Sequence, residues 1–257
     1  MNDEFCSQHY DNCGFFGTGA SDRFKLIEKE SAEYHQVKKL LKSGWKHRKK
    51  NTPVVHIIYK VMWPLHMLDP YLKYRKIVQA TLETENVAVQ KPGNEQLLFH
   101  GTNRACRLGE NPEKVSLCGE DQCSLCTIIR SSFDIKECGS KHSFTRFGKA
   151  IYTTPCSSKA DDYSVNLHAD TTKRVLLLNR VVVGKGFRTP LNSTHLRAPP
   201  GDYHSVIGIP GVHLNYEETV VYRNDAIIPA YMILYELEPR IPWKSLVPQL
   251  FNVPLAV

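Results

Sequence analysis

A histidine, two tyrosines and a pair of glutamates stand out because each sits at or beside the end of an apolar stretch. Leu97-Leu98-Phe99-His100-Gly101-Thr102 reads as a strand that ends on an imidazole beside a glycine. Arg146-Phe147-Gly148-Lys149-Ala150-Ile151-Tyr152-Thr153-Thr154 leads into a second strand, and Ser157-Ser158-Lys159-Ala160-Asp161-Asp162-Tyr163 into a helix. Tyr152 and Tyr163, eleven residues apart, could face each other across a slot. Asn215-Tyr216-Glu217-Glu218-Thr219-Val220-Val221-Tyr222 places carboxylates at the head of an apolar strand. Alternation along that strand sends Glu217 and Glu218 to opposite faces. Singly, each feature has an ordinary explanation: a hydrogen-bonded strand end, two core aromatics, a polar edge. No Gly-x-Gly-x-x-Gly joins a strand to a helix, and neither a Gly-Lys-Ser/Thr loop nor His-Glu-x-x-His is present. A nucleotide bound here would not use the common phosphate cradles.

The cysteines form a second constellation. Four of the eight fall in one short stretch with the spacing Cys106-x11-Cys118-x4-Cys123-x2-Cys126. A Cys-x2-Cys pair grips a tetrahedral ion from one turn, and two further thiolates close the shell, so the spacing predicts structural Zn²⁺. Cys138 and His142 are the reserve ligands should Cys106 not take part. A catalytic cysteine is the other reading, but no base is paired with it.

The order and wording of these segments resemble the catalytic domain of poly(ADP-ribose) polymerases, tankyrases especially. Within that family they resemble a fungal branch with a similar cysteine run after its His-Gly segment. The likeness runs from Arg23 to Leu237 and takes in Ala198-Pro199-Pro200-Gly201-Asp202-Tyr203-His204-Ser205-Val206-Ile207-Gly208 and Asp225-Ala226-Ile227-Ile228-Pro229-Ala230-Tyr231. It implies an α+β ADP-ribosyltransferase fold, with antiparallel sheets forming a split NAD-binding core behind N-terminal helices. It also implies that NAD⁺ is the substrate: ADP-ribose goes to a macromolecular acceptor, a protein in the first instance, and nicotinamide is released.

By the same resemblance, Gly101 offers its backbone to the nicotinamide carboxamide, and Tyr152 and Tyr163 sandwich a ring that is cationic before cleavage. His100, with Thr102 assisting, holds a ribose hydroxyl at the adenosine end. Glu218 holds the 2′-hydroxyl of the nicotinamide ribose and favours positive charge developing on that sugar. Two positions depart from the family pattern. Ala160 stands where many members have a serine that bonds the carboxamide, a loss of ~0.5–1.5 kcal/mol, and Ala150 replaces the glycine before Ile151-Tyr152. They point to the alternatives: a weak or inactive zinc-stabilised module that binds NAD or ADP-ribose, or an NAD⁺ glycohydrolase.

The elements that must position these residues are legible in outline. Phe24, Ile27, Tyr34, Val37 and Leu41 recur at helical spacing from Arg23, with Gly44 as the stop. Val54 to Val61 reads as an alternating strand. A second helix is predicted from Pro70 to Glu83, capped by Asp69 with the proline at its first position. Lys91-Pro92-Gly93-Asn94 is a turn, Glu95 to Phe99 a short strand, and Ser124 to Phe133 a helix or turn. Ala150 to Thr154 reads as a strand, Ser158 to Val165 as a short helix, and Arg174 to Val183 as an apolar β-branched run. Thr219 to Tyr222 and Ala230 to Leu237 are expected to be paired late strands. Helices come early and strands late, which predicts α+β with antiparallel sheet. The expected organisation is a tail over 1–22, a catalytic domain over 23–238 with a zinc-binding insertion at about 103–135, and a Pro-rich tail over 239–257.

The 257 residues, 42% hydrophobic and 23% charged, have the ordinary globular mixture, so wholesale disorder is not expected. The start shows neither a basic n-region nor an apolar h-region, and no apolar run reaches the length of a membrane span. The expectation is a soluble protein of the cytoplasm, the nucleus or both, with no membrane partner. A net charge of +7 suits any polyanion, including a dinucleotide pyrophosphate. Lys46-His47-Arg48-Lys49-Lys50 would serve as an import signal or an RNA contact, but a solvated loop after a helix is the expected role, and nothing else supports a nucleic-acid partner.

Overall fold

The computed structural model describes residues 23–138, 145–167 and 170–239. At its centre is a five-stranded antiparallel sheet in the order β1-β2-β11-β7-β3. These strands are β1 (Phe24–Leu26), β2 (Pro53–Val61), β3 (Glu95–His100), β7 (Arg174–Val182) and β11 (Ile227–Leu237). Both faces of β7 are covered, so its sequence is apolar almost throughout instead of alternating. Leu176 and Leu178 pack toward α1 (Ala32–Gly44), against Val37 and Leu41. Leu177 and Val181 pack on the other side, with Val78 and Leu82 of α2 (Leu65–Thr84) and Ile129 of α3 (Ser124–Ser131).

A buried polar cluster pins α2 to this sheet. The Glu95 carboxylate accepts from the Tyr71 hydroxyl (2.5 Å) and from Arg180 Nε (3.1 Å), and Arg75 stands 3.3 Å away. Burial first, then the charge of Glu95, holds the Tyr71 phenol well above its ordinary range.

The second sheet has the order β5-β10-β9-β8, from β5 (Ile151–Thr153), β8 (Gly186–Thr189), β9 (Ser205–Gly208) and β10 (Glu218–Val221). Antiparallel pairing dominates, as the order of helical and strand patterns predicts. The exceptions are β8 with β9, and the small pair of β4 (Asn103–Arg104) with β6 (Val165–Asn166), both parallel. A single bridge ties the two larger sheets: the Phe99 N–H donates to the Thr154 carbonyl (2.8 Å), and the Thr154 N–H donates back to Phe99 (3.0 Å).

Several expectations are corrected. The first helical pattern covers two elements: Phe24 belongs to β1, and the helix begins only after Ser31, whose hydroxyl accepts from the Tyr34 N–H. The α2 helix starts five residues before Pro70, so Asp69 is not a cap but an interior residue paired with Lys73 at 2.7 Å. Strict alternation fails in β2: a bulge in its pairing with β11 puts Val55 and Ile57 on opposite faces, and both faces are covered, so Ile58 and Tyr59 are both buried. The two late strands do not pair with each other. A 3-10 turn, Asn224–Ala226, carries the chain from β10 in one sheet to β11 in the other. The predicted helix from Ser158 is shorter, α4 (Ser157–Ala160) followed by the 3-10 turn Asp161–Tyr163. The expected tails, His142, Cys6 and Cys13 lie outside the described residues, apart from Pro239. Among the described residues, no helix is long and apolar enough to cross a membrane.

Candidate active site

The bridge between the sheets sets the site. It lies one residue before His100 on β3 and one residue after β5, so the imidazole meets the backbone of Tyr152: His100 Nδ1 is 2.8 Å from the Tyr152 carbonyl oxygen. A carbonyl only accepts, so Nδ1 carries the proton, and Nε2 of the neutral ring is left as an acceptor. Burial pushes the His100 pKa below its ordinary value, against the opposing bond to Tyr152, which favours that neutral form. The Tyr152 hydroxyl donates to the Gly148 carbonyl and accepts from the Phe147 N–H, both at 2.8 Å, which fixes its ring. Burial pushes that phenol up to about 12.

Gly101 follows at the point where β3 abuts α4. A Cβ there would fall 1.8 Å from the Ala160 carbonyl oxygen, so no side chain fits without parting the two elements. Gly101 and Thr102 connect β3 to β4.

Glu218 opens β10, which pairs with β5 so that Val220 stands opposite Tyr152. Its Oε1 is 2.8 Å from Lys159 Nζ. Its Oε2 is buried with no hydrogen-bond partner among the described residues, the Arg146 Nε being 3.6 Å away. Tyr163, just beyond α4, is 46% exposed, and its phenol is raised by burial and then by the charge of Glu218. Glu217 lies on the other side of the strand, 3.6 Å from Arg188. Thus β5 stands between β3 and β10: Tyr152 takes the His100 imidazole on its backbone carbonyl, and its phenol is raised further by the charge of Glu218.

A family model for the poly(ADP-ribose) polymerase catalytic domain matches residues 31–236. The chain belongs to that family. Members share an ADP-ribosyltransferase fold and an NAD⁺-dependent transfer chemistry, with a macromolecule as the usual acceptor.

Two cations beside these candidate residues escaped the sequence reading. Lys159 is buried enough to lower its pKa, an effect opposed by Glu218, and it also donates to the Tyr216 carbonyl at 2.9 Å. Arg146 holds Asn192 Oδ1 at 2.5 Å beside Glu218. Both lay inside the singled-out segments, but their partners depend on how β5 and β10 pair, which short-range patterns do not reveal.

The basic run after α1 also differs from expectation. Lys46, Arg48 and Lys49 are exposed, but His47 and Lys50 dock on α4. The Ser158 hydroxyl oxygen accepts from the Lys46 and His47 N–H groups (2.9 and 3.1 Å) and lies 2.7 Å from His47 Nδ1. Lys50 Nζ is 2.6 Å from Asp161 and 2.5 Å from Asp162. Asp161 in turn takes Arg174 at 2.6 Å and the Tyr235 hydroxyl at 2.5 Å. The run therefore fastens α4 and the turn after it instead of being wholly solvated.

The four clustered cysteines converge. Sγ atoms of Cys106, Cys118, Cys123 and Cys126 all lie within 4.8 Å of one another, with Cys106 3.8 Å from Cys123 and 3.6 Å from Cys126. A tetrahedral zinc with bonds of ~2.3 Å needs sulfurs ~3.8 Å apart, so this donor set fits the ion. The Ala105 N–H donates to the Cys123 sulfur at 3.3 Å. Hydrogen bonds from Cys106 and then Cys126 push the Cys123 thiol down, while Cys106 is pushed up to about 12, chiefly by Cys123. Cys138 stands outside the group, its sulfur 3.5 Å from the Asp134 carbonyl.

Proposed function

We propose that this chain is an active NAD⁺ ADP-ribosyltransferase. In this reading its cleft takes nicotinamide riboside between Tyr152, Tyr163 and the backbone of Gly101. His100, through Nε2, accepts from a ribose hydroxyl at the adenosine end, with Thr102 beside it. Glu218 accepts the 2′-hydroxyl of the nicotinamide ribose. The observation that carries the reading is the buried Oε2 of Glu218, which has the Arg146 cation 3.6 Å away but accepts no hydrogen bond among the described residues, so that it can take a donor from a ligand. A buried carboxylate oxygen without a hydrogen bond is costly, and a sugar hydroxyl would satisfy it.

The chemistry follows from that placement. The bond between the ribose anomeric carbon and the nicotinamide nitrogen breaks, and its electron pair leaves with nicotinamide, which becomes neutral. The sugar passes through an oxocarbenium-like transition state. The carboxylate of Glu218 favours that positive charge, most strongly where water is excluded. Lys159 on Oε1 holds the carboxylate in place and leaves Oε2 to the substrate. A lone pair of the acceptor then forms the new bond, and the acceptor gives up its proton. Within the family, the gathering of the cysteines that follow His100-Gly101 favours the fungal branch with its similar cysteine run, and the order of the segments favours a tankyrase-like member. We read those four sulfurs as a structural Zn²⁺ site with no open position.

The test is to incubate purified protein with NAD⁺ labelled in its adenylate, following nicotinamide release and label on protein. The wild type is expected to label protein, and Glu218→Gln to reduce nicotinamide release about 100-fold or more. Free ADP-ribose as the sole product would assign a glycohydrolase. Binding without nicotinamide release would assign the inactive module to which Ala150 and Ala160 point.

A further inference from the structure

The segment that carries the cysteine cluster touches His100 through one side chain, Phe133. Cys123 caps α3 and Cys126 lies in its first turn, both buried. Seven residues beyond Cys126, after a left-handed Ser132 (φ 64°), the buried Phe133 sets its ring against the His100 imidazole. The centroids are 5.0 Å apart and the planes cross at 89°, an edge-to-face contact. His100 thus has two restraints: the Tyr152 carbonyl on Nδ1, and Phe133 against its ring.

We propose that Phe133 is a positioning residue for His100, and that a divalent d¹⁰ ion at the four thiolates governs it. This rests on the readings of the sulfurs as a zinc site and of His100 as a substrate-holding group. An eight-residue helix is too short to be stable alone, so its location is set by the buried face of Leu125 and Ile129 in the core and by what holds its two ends. At its start the ion would bind Cys123 and Cys126 to Cys106 and Cys118, which lie in the segment leaving β4. Arg130 reinforces this by donating to the Cys118 carbonyl at 2.5 Å. Past its end, the Ile135 N–H donates to Asn224 Oδ1 at 2.8 Å, which anchors the exit near the turn between β10 and β11. Phe133 sits between these two anchors. Loss of the ion frees the first and leaves the ring to core packing and the second anchor alone, which loosens its hold on the imidazole.

Zinc content and the His100 imidazole signals, read by ¹⁵N-detected NMR, test this without any need for turnover. The wild type is expected to hold about one zinc per chain. Phe133→Leu should keep that zinc and its melting temperature within a few degrees. It should nonetheless shift the His100 ring resonances and raise the KM for NAD⁺ about three- to tenfold, with kcat changed less. Zinc removal by a chelator should move the same resonances in the same direction. A wild type that binds no zinc would overturn the proposal, as would His100 resonances that stay put in metal-loaded Phe133→Leu. Absence of turnover in a wild type whose His100 signals do respond would count against the transferase reading alone.

Discussion

At the scale of single residues, His100 shows how environment selects a state that composition does not. Its Nδ1 faces a carbonyl and burial disfavours the cation, so the fold favours neutral imidazole with the proton on Nδ1. In the unfolded chain the same residue takes a proton near its ordinary pKa of about 6.5. Below that value, and down to the lowered folded pKa, the unfolded state binds more protons, so acidification removes stability and raising the pH restores it. Wild type is therefore expected to lose more stability between pH 7.5 and 5.5 than His100→Gln, measured by urea unfolding; equal losses would contradict it. The sequence singled out His100, Tyr152 and Glu218 because the segments that carry them, taken together and in order, resemble the family's catalytic domain; singly each has an ordinary explanation. Lys159, Arg146 and Phe133 were not assigned roles, since an ion pair or ring contact between distant segments leaves no periodic trace.

At the scale of elements, what was legible was pattern, and what was not was pairing. The apolar runs at Arg174 and Ala230 announced strands because β-branched and aromatic residues fill them. Nothing local disclosed that β10 and β11 belong to different sheets, or that a bulge would break the alternation of β2. Boundaries failed where one residue type has two uses. Asp69-Pro70 looks like a helix start and sits inside a helix, and Phe24 fits the helical spacing yet lies on a strand. Strand β3 links this scale to the site, for it begins at Glu95 in the buried cluster and ends at His100. Glu95→Gln would leave Arg180, and the partly buried Arg75, without their carboxylate. It is expected to destabilise the protein by about 3 kcal/mol. Urea unfolding measures this, and a loss below about 1 kcal/mol would show that water or relaxation replaces the pair.

At the scale of the molecule, the candidate site draws its residues from two joined sheets, not from one. The core sheet supplies His100, the smaller sheet supplies Tyr152 and Glu218, and α4 closes the side with Lys159. The turn at Asn224–Ala226 ties the glutamate strand directly to β11, which pairs with β2 and β7 at the heart of the core. The carboxylate-bearing ribbon therefore has no slack with which to breathe by itself. Its amide protons should trade with deuterium only when the whole core opens, at rates that follow denaturant as those of β11 do. Were β10 to exchange rapidly while β11 stayed protected, the glutamate would be riding on a detachable flap.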